Sequence, residues 1–361
     1  MKKSFTSIDR RSFLGAAAGA AAVGIATAGT GRAYAQAGPG PSGSIQPAIT
    51  RQIGRTGRSV TALGLGTFLT FDLVPGDPRD RLREVVARYA AGGGGVIDTS
   101  PLYGSAEVTV GAFLSEMPEV RDIFLANKVW STGEYLGDTS HATASLEQSR
   151  LRVWRSTVDL MQCHSITNAG VVLPLLQAWK KEGHIRHVGV THHESSHQAE
   201  LIRFIDRGEV DVVQTNYSIF NRTAEERLLP AAADRGVGVL VNLPLEKARL
   251  MHIVEDRPLP DFAREFEAVS WAQFFLKWVI AHPAVTSVLC GTSDPDHMSD
   301  NLGAMRGPLP DEAMRRRMVR HMETIPGFDA IGTLPWYPGK DARYQGQIRQ
   351  AQSLARARLA N

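Results

Sequence analysis

The stretch VIDTSPLYGSAE, residues 96–107, decides how this chain is read. An acid, Asp98, closes what reads as a buried strand, and a phenol, Tyr103, stands five residues later. Downstream, the apolar run IFLANK (123–128) ends in Lys128, and VDLMQCH (158–164) ends in His164. Singly, each residue has a plain structural reading: a packed loop tyrosine, a solvated strand-end lysine, an aspartate that forms a turn. Together, at or just after three strand exits, they suit one chemistry. A lysine favours the phenolate and lowers a phenol's pKa, an acid holds the lysine, and a histidine orients a carbonyl.

Working outward, short apolar runs predict strands near 62–67, 95–98, 123–128, 157–164, 185–191, 210–215, 237–241 and 287–290. Runs without alternation are what fully buried parallel strands require. Helices are expected between them at 78–91, 106–116, 142–152, 172–182, 197–206, 224–234, 265–282 and 294–302, several stopping at a glycine such as Gly183 or Gly236. A small hairpin is expected over 49–60, with its turn around Arg55 to Gly57. Eight strands alternating with eight helices predict an α/β fold, a (β/α)8 TIM barrel with an N-terminal β-hairpin lid, over an open doubly wound sheet. Active sites of such barrels lie at the C-terminal strand ends, where Asp98, Lys128 and His164 fall, with Tyr103 in the loop beyond. Gly92 to Gly95 ends a helix and precedes a strand, the wrong order for a phosphate loop.

The same segments, in this order, resemble the aldo-keto reductases. RQIGRTGRSVTALGLGTF (51–68) is similar to that family's opening hairpin and first strand. IDTSPLYGSAE, ANKVW (126–130), DLMQCH, HIRHVGV (184–190) and VTSVLCGTSDPDHMSDN (285–301) follow. The resemblance covers 51–301. It implies NAD(P)H-dependent reduction of an aldehyde or ketone. Tyr103 would be the acid, Lys128 and Asp98 its support, and His164 the carbonyl orienter. Phe68 and Trp130 match positions where the family has aromatics beside the substrate. Thr67, Thr191, His192, Gln214 and Asn242 match the nicotinamide end, and Gly291, Thr292, His297, Asp300 and Asn301 the adenosine end. Several of these depart from the family pattern. Thr191 stands for a common Ser, His192 for an Asn, and Asn242 for the tyrosine that stacks on the nicotinamide. Gly291 replaces a Lys, and His297 an Arg. The adenosine end leans to NADP(H) over NAD(H) without a strong arginine clamp.

Two other readings keep the barrel and change its work. One is a nucleotide-binding sensor or accessory barrel with little turnover, prompted by His192 and Asn242. The other is a metal-dependent isomerase or lyase at the His-rich end of the fifth strand, with His164, His192 and Glu194 as ligands. Neighbouring residues on a strand point oppositely, so His192 and His193 need not converge, and no metal is expected.

The 361 residues carry a formal net charge of +3. Five basic residues against one acid give the first 35 residues +4, so removing +4 from +3 leaves −1 for the rest, and nothing points to nucleic acid. Residues 1–35 read as a twin-arginine signal peptide. Arg10 and Arg11 lie in SIDRRSFL (7–14), a mild Ala/Gly-rich run follows, and Ala33-Tyr34-Ala35 offers a cleavage site. That run is shorter than the roughly 20 residues that span a bilayer, so no stable membrane anchor is expected after cleavage. The expected partners are the twin-arginine export machinery and a small-molecule carbonyl substrate, and the expected location is periplasmic. Residues 36–48 read as a flexible linker, 49–308 as the barrel and 309–361 as a C-terminal helical and irregular extension with a basic helix at each end. Cys163 and Cys290 end the fourth and eighth strands, opposite each other, and are read as two buried thiols.

Overall fold

The computed structural model describes residues 46–74, 76–131, 138–339, Gly346, Gln350 and Leu354. The signal-peptide reading (1–35), all but the last three linker residues, and most of the expected closing helix lie outside the described residues.

A hairpin of β1 (Thr50–Gln52) and β2 (Ser59–Thr61) is the first described element. β3 (Leu63–Gly66), α1 (Asp80–Ala91), β4 (Val96–Asp98), α2 (Ala106–Glu116), β5 (Phe124–Val129) and α3 (Ser140–Arg152) follow. Next come β6 (Val158–His164), α4 (Ala169–Lys181), β7 (Ile185–His192), α5 (Gln198–Asp206), β8 (Val212–Asn216) and α6 (Leu228–Arg235). β9 (Gly238–Asn242), α7 (Arg249–Ile253), α8 (Trp271–Ile280), β10 (Ser287–Cys290), α9 (Pro295–Gly303) and α10 (Glu312–Glu323) complete the described elements. The eight strands β3 to β10 close into a parallel barrel in chain order, the (β/α)8 TIM fold. No described helix is long and apolar enough to cross a membrane.

The two-residue period of a strand divides the barrel into two chemistries. Outward residues such as Ile97, Leu125, Met161, Val190, Val213 and Val288 pack against the helices in the large outer core. Inward residues Val96, Phe124, Leu160, Val212, Leu240 and Leu289 form a second cluster with Ile53 of the hairpin. The hairpin therefore seals the N-terminal mouth. Gly54 holds a left-handed φ of 46°, where an added Cβ would meet the Gly236 carbonyl at 2.1 Å, and Arg55 N–H donates to that same carbonyl at 2.9 Å. Each large apolar side chain buried in these layers contributes about 1.5–3 kcal/mol. Cys163 and Cys290 face outward on β6 and β10, four strands apart in the ring of eight, and both are buried free thiols. Burial pushes each thiol up to about 12, so neither is a ready nucleophile.

One helix is corrected. The stretch 265–282 is not continuous: a short 3-10 turn over Asp261–Phe266 ends at Glu267, which takes a left-handed φ of 54°, and Ser270 then caps α8 by accepting the Gln273 N–H. A serine cap ahead of an all-buried helix outweighs the helical propensity of the preceding residues.

Above the apolar layer the inward positions turn polar. Asp98 (4% exposed) and Lys128 (0%) form an ion pair at 2.7 Å inside the barrel. Removing one partner of a buried pair strands the other's charge. Lys128→Met should therefore cost about 3–5 kcal/mol of stability. Adding Asp98→Asn to that variant should recover part of the loss, read from guanidinium unfolding midpoints. Strictly additive losses in the double variant would refute the coupling.

Candidate active site

The register of the strands brings the polar inward residues to neighbouring exits, stepped by two residues from β4 to β5 and from β5 to β6 and directly paired from β6 to β8. Asp98 pairs with Ala126, Lys128 with Gln162, His164 with Thr191, and Thr191 with Gln214. Lys128 Nζ donates to Asp98 Oδ2 at 2.7 Å and to the Thr99 carbonyl at 2.8 Å. Gln214 Nε2 donates to Asp98 Oδ1 at 2.9 Å, and Gln162 Nε2 reaches the same oxygen at 3.5 Å. Thr67 spends its hydroxyl on the Asp98 carbonyl at 2.9 Å. Asp98 is thus held through both carboxylate oxygens and its backbone. Lys128 lies 4.8 Å from the centre of the Tyr103 ring, and His164 meets that ring edge-on at 5.9 Å.

The electrostatics correct one expectation. Burial pushes the Tyr103 phenol up, Lys128 pulls it down and Asp98 pushes it up again, and the net direction is above the ordinary value. Enclosure outweighs the cation because Asp98 already neutralises much of its field. Burial alone would depress Lys128, but Asp98 and Tyr103 reverse this and raise it. His164 falls well below the ordinary range, first through burial and then through the positive charge of Lys128.

All the sequence-predicted site residues except Lys128 and Trp130 line one cavity of about 1220 Å³ at the C-terminal ends of the strands. Lys128 stands behind Asp98 and Tyr103. Trp130, half-buried after β5, is not among the lining residues, and residues 132–137 beyond it lie outside the described set. Phe68 packs edge-on to Tyr103 at 5.1 Å, the expected apolar wall. At the end nearest Asp98, Thr191 Oγ1 donates to Gln214 Oε1 at 2.9 Å. Asn242 Oδ1 is buried there without a hydrogen-bond partner among the described residues, an acceptor open to a ligand amide. At the other end Asn301 donates to Cys290 Sγ at 3.2 Å, and Asp300 Oδ1 accepts from Gln273 at 2.8 Å. Thr292 Oγ1 accepts the Asp294 N–H at 3.0 Å, and His297 is exposed beside it. A large cleft with an orphaned polar atom at one end and an exposed imidazole at the other fits a dinucleotide.

The His-rich strand end groups different residues from the candidate trio of His164, His192 and Glu194. β7 stops at His192, so alternation ends there, and the His192 and His193 rings stack at 5.4 Å. His192, Glu194 and His197 bring ligand atoms within 4.8 Å of one another, a trio that excludes His164. His192 Nδ1, however, accepts the Glu194 N–H at 3.1 Å. Burial and the neighbouring His197 and His193 lower His192 to about 4, so its ring is neutral with hydrogen on Nε2. That tautomer makes Nε2 a donor and opposes metal ligation through it.

Sequence reading missed the loop after β9. Leu243, Glu246, Lys247 and Ala248 all take left-handed φ values, between 50° and 65°. Buried Glu246 anchors them by accepting from Ser218 at 2.7 Å and from Arg249 at 2.8 Å. Arg249 also donates to the Gly332 carbonyl at 3.2 Å, the Tyr337 N–H donates to the Lys247 carbonyl at 2.9 Å, and the Lys247 ammonium lies over the Trp336 ring. The C-terminal extension is thereby strapped across this loop, and Trp336 to Gly339 join the cavity wall.

The histidines set a stability profile. His192 and His282 are lowered to about 4 by burial, and His164 is lowered as well. Between pH 6.5 and 4 the unfolded chain binds protons that the native state refuses, so stability falls as pH drops through that window. Above 6.5 these rings are neutral in both states and contribute no slope. Urea midpoints should hold level from pH 8 to 7 and decline below 6.5. A midpoint that rises on acidification would contradict the assignment.

The geometry can be set beside known proteins. The sequence pattern of the Aldo/keto reductase family matches residues 62–318. The NADH-specific methylglyoxal reductase of Escherichia coli (strain K12) is 25% identical over 328 residues, covering 75% of this chain and 98% of that protein. L-galactose dehydrogenase of Arabidopsis thaliana is 25% identical over 317 residues, covering 80% and 97%. An aldo-keto reductase from Klebsiella pneumoniae solved with NADPH superimposes with a TM-score of 0.61 at 22% identity, covering 77% of this chain and 95% of that one. The holo form of one from Bacillus halodurans gives 0.61 at 23%, covering 76% and 96%. Both structural likenesses speak to the fold. Because the family pattern spans all eight barrel strands, this chain belongs to the aldo/keto reductase family.

Proposed function

We propose that this oxidoreductase reduces a small aldehyde or ketone to an alcohol with NADPH in preference to NADH. The observation that carries the reading is the convergence of Tyr103, His164 and the Asp98–Lys128 pair on one end of a dinucleotide-sized cavity. When bound there, the reduced nicotinamide supplies the hydride. Gln214, Thr191, His192 and Asn242 would hold its carboxamide, with His192 Nε2–H in place of an amide donor and Asn242 Oδ1 as acceptor. Thr292 and His297 would take a 2′-phosphate. The two neighbouring carboxylates, Asp294 and Asp296, pair with Arg81 and Arg88, each at 2.6 Å, which offsets their repulsion.

A phenol pushed upward keeps its proton at neutral pH, the form a general acid needs. As negative charge gathers on the carbonyl oxygen, that oxygen becomes a stronger base than the phenolate, and the proton of Tyr103 moves to it. Lys128 then faces the phenolate, and Asp98 keeps the ammonium in place. His164, neutral, donates to the carbonyl oxygen and leaves the proton transfer to Tyr103.

We also propose that the protein is exported through the twin-arginine route to the periplasm, on the strength of Arg10 and Arg11 in SIDRRSFL and the Ala33-Tyr34-Ala35 site. That route carries folded proteins, which suits an enzyme loaded with nucleotide before export.

Fluorescence titration with NADPH and NADH, paired with nicotinamide absorbance decay on methylglyoxal and a panel of aldehydes, ketones and quinones, tests the reaction. NADPH should bind more tightly, and Tyr103→Phe should bind it unchanged while losing nearly all turnover. A Tyr103→Phe variant with full turnover refutes the mechanism. Binding without turnover in the wild type would favour the sensor or accessory reading. For export, Arg10→Lys with Arg11→Lys should retain the protein in the cytoplasmic fraction. Unchanged periplasmic yield would remove that proposal.

A further inference from the structure

Ser100 connects two strand exits that the proposed chemistry needs together. Its Oγ lies 3.0 Å from His164 Nδ1 and accepts the Leu102 N–H at 3.1 Å. Its carbonyl accepts the Tyr103 N–H at 3.0 Å. The side chain is fully buried. Hydroxyl bookkeeping fixes the direction of the His164 bond. A serine has one hydrogen to give, and Leu102 N–H already supplies a donor to its oxygen. If Nδ1 carried a hydrogen and donated it to Oγ, the Ser100 hydrogen would be left buried without an acceptor among the described residues. That omission costs more than the bond returns. The satisfied arrangement has Ser100 O–H donating to Nδ1, which leaves the hydrogen of the neutral ring on Nε2.

We propose that Ser100 is a positioning residue that locks His164 in the Nε2–H tautomer, the form able to donate to a substrate carbonyl. Resting on the reductase reading for its purpose, the assignment stands on this geometry for its existence. The loop from Ser100 to Tyr103 then does two jobs. Its backbone sets the phenol above the cavity, and its first side chain sets the ring opposite. Donor acid and carbonyl orienter are registered through one residue, although one comes from the loop after β4 and the other from the end of β6.

The ring nitrogens give a readout that activity does not share. In full-length protein labelled with 15N-histidine, His164 is assigned by loss of its resonances in His164→Gln. At pH 7.5 the wild type should show an unprotonated, hydrogen-bonded Nδ1 and a protonated Nε2. In Ser100→Ala the Nδ1 resonance should move to its non-bonded position, and an Nδ1–H population should emerge. Carbonyl turnover at saturating cofactor should fall about ten-fold, as loss of one aligned hydrogen bond implies. NADPH affinity should not change. Ser100→Thr, which keeps the hydroxyl, should restore the Nδ1 resonance and most of the turnover. A protonated Nδ1 in the wild type, or an Nδ1 resonance unmoved in Ser100→Ala, overturns the proposal. If the wild type reduces no carbonyl at all, the reductase reading fails while the ring resonances still decide the role of Ser100.

Discussion

The buried pair between Asp98 and Lys128 is the constraint on which the rest of the site depends. Two charges taken out of water inside a barrel are tolerated only when every lone pair and hydrogen is answered. Here Lys128 gives one hydrogen to Asp98 and one to the Thr99 carbonyl, and Asp98 takes further hydrogens from Gln214 and, at longer range, Gln162. Gln214 is tied in turn to Thr191, and Thr67 holds the Asp98 backbone. Five of the barrel strands thus contribute to satisfying one ion pair. Residues that would otherwise be free to reorient are fixed in place before any ligand arrives, which is how a rigid scaffold lowers the cost of arranging reacting groups.

That arrangement follows from strand geometry more than from any local motif. With a period of two and parallel register, an inward residue at one strand's exit lies level with the inward residues of its neighbours. Apolar inward positions near the hairpin, Phe124 and Leu160 among them, give way to Lys128, Gln162 and His164 two to four residues later on the same strands. The lower layer excludes water and supplies stability. The upper layer sits on it, and the ion pair feels a low dielectric that makes each of its hydrogen bonds matter more.

This explains what was legible in the chain and what was not. The barrel was readable because eight apolar runs recur between amphipathic segments, and Asp98, Tyr103, Lys128 and His164 were readable because they stand at strand exits. The histidine cluster was only partly legible, because alternation left open whether His192 and His193 meet, and a turn bonded through Glu194 brings the neighbouring rings together. The direction of the Tyr103 pKa was misread because a lysine's pull was counted without its partner's push or the cost of burial. Ser100, Gln162, Glu246 and Arg249 escaped notice because their roles are contacts between distant segments. Ser100 reaches His164, 64 positions away, and Arg249 reaches Gly332, 83 away. No window of sequence contains such pairs. The break before α8 was a different failure: a serine cap is a local signal, and the apolar run hid it.

The same lysine that pulls the Tyr103 phenol down also pulls the His164 imidazole down. His164 is held neutral by burial first and by the positive charge of Lys128 second. A protonated imidazole there would donate from both nitrogens, and the Ser100 hydroxyl would have to turn away from Nδ1. A neutral one, accepting from Ser100, has a single hydrogen to offer. Lys128 therefore acts in two directions at once: it makes loss of a proton from Tyr103 easier and gain of a proton by His164 harder. In the proposed reaction both effects would assign the transferable proton to the phenol and leave the imidazole a hydrogen-bond donor that does not ionise. The two rings meet at 5.9 Å, both feel one cation, and that cation owes its position to Asp98.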